Sequence, residues 1–151
     1  MCAKQIAIDI GTSNTLIFVK GQGIVLQEPT VVAININNNK ILAVGYEAQR
    51  MIGKTPMNIE VIKPLKFGSI DQFDIAKAML EKFIEKVGEG KRILRTFSRA
   101  KVLVGVPSGV TQVERKGIEE VIREAGAKQV KVVKSVVAAA IGFSSGRLAG
   151  T

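Results

Sequence analysis

The pattern of apolar residues changes period at residue 74, and that change restricts the chain to an architecture in which helices cover a sheet. Over residues 74–87, Ile75, Met79, Leu80, Phe83, Ile84 and Val87 share one helical face, while Lys77, Glu81, Lys82 and Glu85 lie elsewhere around the axis. Gly88 and Gly90 end the run. Upstream, Gln5–Ile10 alternates and runs apolar into Asp9 and Gly11, as a buried strand does. Gly11-Thr12-Ser13-Asn14-Thr15 supplies turn residues, and 16–20 read as the returning strand of a hairpin. A short strand at 24–26 follows the turn Gly21-Gln22-Gly23. Residues 31–36 and Lys40–Val44, joined by Asn37-Asn38-Asn39, form a second hairpin. A short helix is expected over 45–51, and 53–68, with Pro56 and Pro64, reads mostly as connecting chain.

Downstream of the helix, Lys101–Val106 is a nearly pure aliphatic strand closed by Pro107-Ser108-Gly109. Thr111 and Glu114 have capping-box spacing, so a helix is expected from there to Ala125, with Gly126 as its stop. A strand at 130–133 and a small-residue helix over about 135–143 complete the order. Early hairpins followed by alternating strands and helices predict a mixed α/β sheet with flanking helices, its later strands parallel.

Composition narrows the function classes. A chain of 151 residues with 46% apolar and 23% charged residues suits one soluble domain with a real core. Its 22 basic against 13 acidic residues, a formal charge of +9, draw it to nucleic acid, anionic lipid or phosphate, or simply give it a basic surface. The basic residues are spread along the chain, with one Tyr and no Trp for base stacking, so no nucleic-acid partner is expected. With no His and a single Cys, at Cys2, disulfides, Cys/His zinc sites and His-based triads are excluded within the chain. Residues 1–4 lead straight into a strand without a signal-peptide core, and apolar stretches such as 136–143 are too short to span a bilayer. A cytoplasmic location follows as the expectation.

The segment richest in chemistry is Asp9-Ile10-Gly11-Thr12-Ser13-Asn14-Thr15. Glycine lets backbone approach a ligand closely, and successive amides in a tight turn make a concavity for phosphate oxygens. Thr12, Ser13, Asn14 and Thr15 add short donors, and Asp9 suits Mg²⁺ held through water. The same composition also suits an ordinary polar hairpin tip. Neither a Walker A nor a GxGxxG sequence is present, which removes the P-loop and Rossmann readings.

The stretch from Ile8 to Thr15 resembles the first phosphate motif of the actin, Hsp70 and sugar-kinase superfamily. Further segments are similar to the MreB/Mbl family of bacterial actin-like, rod-shape-determining proteins: Lys20-Gly21-Gln22-Gly23, Glu28-Pro29-Thr30-Val31-Val32, Leu42-Ala43-Val44-Gly45, Met51-Ile52-Gly53-Lys54-Thr55-Pro56, Val106-Pro107-Ser108-Gly109 and Ala138-Ala139-Ala140-Ile141-Gly142. The resemblance runs in order through essentially the whole chain. It implies an actin-like (RNase H-like) ATPase fold, first half only: residues 1–32 and 74–151 as the core subdomain IA, 33–73 as the inserted small subdomain IB, and the second half of the fold absent. It further implies ATP and Mg²⁺ as cofactors. Asp9, Gly11, Thr12, Ser13, Asn14 and Thr15 are then nucleotide-binding, with Asp9 also at the metal.

The family implication extends to a filament homopolymer in the cytoplasm, peripheral to the inner face of the cytoplasmic membrane and working with the cell-wall synthesis machinery. Relatives carry a Glu, which positions the attacking water, where this chain has Ser135. A second phosphate motif is expected beyond Gly150-Thr151. The chain alone is therefore expected to bind ATP weakly and not to hydrolyse it, because losing a positioned acid/base group costs on the order of 10²–10⁴ in rate. The basic stretch 91–99 holds Ile93, Leu94 and Phe97 among its cations; the resemblance implies that these enter the membrane, while packing back onto the core is the alternative. A sugar- or acid-kinase-like phosphotransferase is the competing function, disfavoured because no acidic base for a substrate hydroxyl stands out.

Overall fold

The computed structural model describes residues 3–88 and 97–135. Strands β1 (Gln5–Ile10), β2 (Asn14–Val19) and β3 (Gly23–Pro29) are followed by β4 (Val32–Asn35), β5 (Lys40–Val44) and the short helix α1 (Tyr46–Arg50). Next come β6 (Ile59–Ile62), β7 (Leu65–Lys66), β8 (Ser69–Ile70) and the helix α2 (Phe73–Val87). Strand β9 (Lys101–Val106), helix α3 (Gln112–Glu124) and strand β10 (Gln129–Lys134) complete the described elements.

Five strands form one sheet in the order β10-β9-β1-β2-β3. The β1–β2 and β2–β3 pairs are antiparallel hairpin partners, whereas β9 pairs parallel with both β1 and β10, as the strand–helix–strand order requires. Alternation along β1 buries Ile6, Ile8 and Ile10 and turns Gln5, Ala7 and Asp9 to the other face. Val102, Val104 and Val106 of β9 lie in the same buried layer. Met79, Leu80, Phe83 and Ile84 of α2 and Ile118, Val121 and Ile122 of α3 close that layer, so both long helices cover one face. The helix α2 arises where the periodicity predicts it, and α3 where the capping-box spacing does. At the start of α3 the capping box is complete: Thr111 N donates to Glu114 Oε2 at 2.8 Å and Glu114 N to Thr111 Oγ1 at 3.3 Å.

The stretch 53–68, expected as connecting chain, contains two strands. β6 pairs antiparallel with β4, which also pairs with β5, giving a separate three-stranded sheet in the order β5-β4-β6. Two prolines obscure β6 because they bracket it; neither interrupts its ladder, so the strand tolerates both. The helix expected over about 135–143 lies, Ser135 aside, outside the described residues. Ile93 and Leu94 lie outside them as well. Phe97 is fully buried within the core cluster, which corrects the membrane-facing expectation for that residue. A ring taken from water on all sides by its own protein cannot also enter a bilayer.

One ion pair joins three elements. Glu28, on β3, accepts from Lys86 Nζ of α2 at 3.0 and 3.1 Å, and its Oε2 also accepts from the Tyr46 amide that opens α1 at 3.1 Å. Both side chains are largely shielded, at 28% and 16% exposed for Lys86 and Glu28. A double-mutant cycle on Glu28→Gln and Lys86→Met is expected to give a coupling of about 1–2 kcal/mol in chemical denaturation, above the usual surface-pair value.

Strands β7 and β8 are joined by Phe67-Gly68, with φ of 50° and 72°. Two successive positive φ values belong to a type I′ turn, in which Asn or Asp normally precedes Gly. Phe67 is 100% exposed, so no burial offsets the strain of its left-handed backbone. Phe67→Asn is expected to raise the denaturation midpoint, stabilising the fold by about 1 kcal/mol; an unchanged or lower midpoint counts against that strain.

Candidate functional site

Because β1, β9 and β10 run parallel, their C-terminal ends lie along one edge of the five-stranded sheet. That edge is where α/β sheets bind ligands, since the chain leaves each strand there in a loop free to meet them. Three features gather on it: the 11–14 turn after β1, Gly105 near the end of β9, and Ser135 directly after β10.

The turn is closed by its own backbone. Gly11 N donates to Asn14 O at 3.0 Å, and the Thr30 amide, just past β3, donates to Ser13 O at 3.0 Å. A methyl group on Gly11 would stand 2.6 Å from the Asn14 carbonyl oxygen, so only glycine permits this closure. Thr12, Ser13 and Asn14 are exposed. Among the described residues, no acceptor is found for the amides of Thr12 and Ser13. Exposed hydroxyls and unengaged amides in a tight turn are the donor set a phosphate group requires.

Thr15 departs from the expected set. It is fully buried, and its hydroxyl lies 3.0 Å from that of Thr30, which is also fully buried. The Thr30 hydroxyl in turn donates to Gly11 O at 2.7 Å. A hydroxyl carries one proton, so with Thr30's committed to the carbonyl, Thr15 is the donor between the two. Thr15 therefore holds the turn from beneath and is no phosphate ligand; parity along β2 places it on the buried face. In the sequence Thr30 stands only as part of a family-like segment, with no role at the turn. Its one local signal is a lone hydroxyl, preceded by a proline, at the head of the apolar run Val31-Val32-Ala33-Ile34.

Asp9 stands on the open face of the sheet, opposite Gly105 of β9 in register. The Ser135 hydroxyl donates to Asp9 Oδ1 at 3.0 Å, bringing together residues 126 positions apart in the chain. Gly105 makes room for this pair: a methyl group there would lie 3.0 Å from Ser135 Oγ and 3.3 Å from Asp9 Oδ1. Asp9, Ser135, Leu16, Phe18, Leu103 and Gly105 border a shallow cavity of about 230 Å³. No group of three or more Asp, Glu, His or Cys side chains is placed to hold a metal ion among the described residues. Asp9 thus offers a single carboxylate, which fits a Mg²⁺ that keeps most of its water but not a protein cage.

Gly11→Ala is expected to cost about 1–3 kcal/mol of stability, because the carbonyl it meets belongs to the backbone and the turn must open. Backbone resonances of Thr12 to Asn14 should shift with it. Wild-type stability and unchanged resonances would show that the closure does not depend on the missing side chain.

Comparison with known proteins gives a consistent result. The family model described as "MreB/Mbl protein" matches residues 3–146. The chain is 47% identical over 142 residues to the cell shape-determining protein Mbl of Bacillus subtilis (strain 168), covering 94% of this chain and 41% of that protein. It is likewise 47% identical over 146 residues to the cell shape-determining protein MreB of Escherichia coli (strain K12), with the same two coverages. Among solved structures, MreB 5 of Spiroplasma citri bound to AMPPNP superposes with a TM-score of 0.71 at 32% identity, over 89% of this chain and 39% of that one. The chain thus spans about two-fifths of the length of the relatives it matches.

Proposed function

Because the chain belongs to the MreB/Mbl family, we propose that it acts in cell-shape determination as an actin-like, ATP-binding subunit of a filament on the inner face of the cytoplasmic membrane. Its fold is the first half of the actin-like α/β architecture, as the superposition shows. The observation that carries the nucleotide reading is the 11–14 turn, with its exposed donors, on the carboxyl edge of the parallel strands. A relative of like fold has been seen with AMPPNP, which supports the same class of ligand here.

In this reading Thr12, Ser13 and Asn14 bind nucleotide phosphates, with Gly11 shaping the turn and Asp9 receiving a water-coordinated Mg²⁺. Mg²⁺ supplies charge neutralisation of the phosphates when bound. Ser135 takes the position of the family's water-positioning Glu. Its proton is directed to Asp9, and a neutral hydroxyl makes a poor general base, so this chain binds nucleotide without turning it over. The core subdomain comprises residues 1–32 and 74–151, and 33–73 form the inserted small one; their separate sheets support that division.

Filament assembly with further copies of the chain and contact with the cell-wall synthesis machinery complete the reading, on the strength of the family. Ile93 and Leu94 provide membrane contact without Phe97. Burial of one such side chain contributes at best about 1.5–3 kcal/mol, so single subunits bind membranes marginally and a polymer does so through avidity. No helix among the described residues is long and apolar enough to cross a membrane.

Titration of ¹⁵N-labelled protein with MgATP is expected to move the amides of Thr12, Ser13 and Asn14, with an affinity weaker than micromolar and no released phosphate. Amides that stay in place at millimolar MgATP would remove the nucleotide assignment. Steady hydrolysis would instead overturn the part assigned to Ser135.

A further inference from the structure

Thr15 and Thr30 are the polar side chains fully buried among the described residues, and burial of a hydroxyl is unfavourable unless it is hydrogen-bonded. Both are bonded, in a chain with one direction: Thr15 donates to Thr30, and Thr30 donates to Gly11 O. The Thr30 amide adds a second contact, to Ser13 O. One residue thus grips two carbonyls of the turn. A trans peptide is planar, with its N–H opposite its C=O. Drawing Gly11 O inward therefore aims the Thr12 amide away from Thr30, and drawing Ser13 O inward does the same for the Asn14 amide. These two carbonyl oxygens, which would repel a phosphate, are turned into the protein, and the amides across their peptide planes are turned the other way.

We infer that Thr30 is a positioning residue for phosphate recognition, setting the orientation of the 11–14 turn through its buried hydroxyl and amide without touching the ligand. The inference rests on the nucleotide reading of that turn. In the ligand-free protein the same hydroxyl keeps the turn closed, so the Gly11 amide bonded to Asn14 O is protected.

The test compares wild type with Thr30→Val, Thr30→Ser and the double variant Thr15→Val plus Thr30→Val. Two NMR readouts are taken: hydrogen exchange of the Gly11 amide without ligand, and affinity for MgATP. In Thr30→Val, Gly11 exchange should quicken about tenfold and MgATP bind about tenfold more weakly, the scale of one buried hydrogen bond. Thr30→Ser keeps the donor and should stay close to wild type on both. The double variant removes both hydroxyls, so neither is left unpaired; its thermal stability should recover above that of Thr30→Val while both turn effects persist. That separation is what a merely structural role would not produce, and it also serves if Thr30→Val folds poorly.

Unchanged exchange and affinity in the valine variants overturn the inference. So does a recovery of affinity that tracks stability in the double variant. If wild type binds no MgATP, the nucleotide reading falls by itself, and Gly11 exchange still decides whether Thr30 holds the turn.

Discussion

Strand β1 has a neighbour on each side, and its period-two alternation between those neighbours is the constraint from which the rest follows. One face of the strand must be apolar to accept α2 and α3, which forces Ile6, Ile8 and Ile10 inward. The same alternation leaves Asp9 no choice but the opposite face. A slip of one residue in register would bury the carboxylate and expose three isoleucines, so the core itself holds Asp9 at the site. Parallel pairing with β9 then carries Gly105 beneath it, and the next parallel strand delivers Ser135.

At the end of β1 the problem changes from apolar packing to satisfying backbone polar groups. A sharp hairpin turn leaves several carbonyls and amides without ladder partners, and each needs one. Here the carbonyls of Gly11, Ser13 and Asn14 are all satisfied from within, by Thr30 and by Gly11. The amides of Thr12 and Ser13 remain without acceptors among the described residues. The polar character of this candidate site is therefore a by-product of how the turn closes, and the exposed side chains of Thr12 and Ser13 add to it.

The small sheet is tied to the larger one through a charge as well as through packing. Glu28 extends from β3 to α2 and to the first amide of α1, so the orientation of the β4–β5 hairpin depends on a carboxylate in the neighbouring sheet. An amide at the start of a helix has no partner within that helix, and a carboxylate is a suitable one. The short helix α1, only five residues long, gains an anchor that its own length cannot give it.

Much of this was legible in the residues. The helical face of 74–87, the Thr111 capping box, the aliphatic run of β9 and the turn composition of 11–14 follow from local chemistry, because propensity, caps and period act over a few residues. Strand β6 was hidden because its prolines flank it and its partner lies more than twenty residues upstream. The inward commitment of Thr15, the role of Thr30 and the meeting of Ser135 with Asp9 could not be read locally either. Whether a hydroxyl donates to a ligand or to a neighbouring strand depends on which face it occupies and on what lies across the sheet. Sequence by itself determined the elements and the composition of the turn. The tertiary structure decided which of the turn's groups face out, since only long-range pairing sets the direction of each peptide plane.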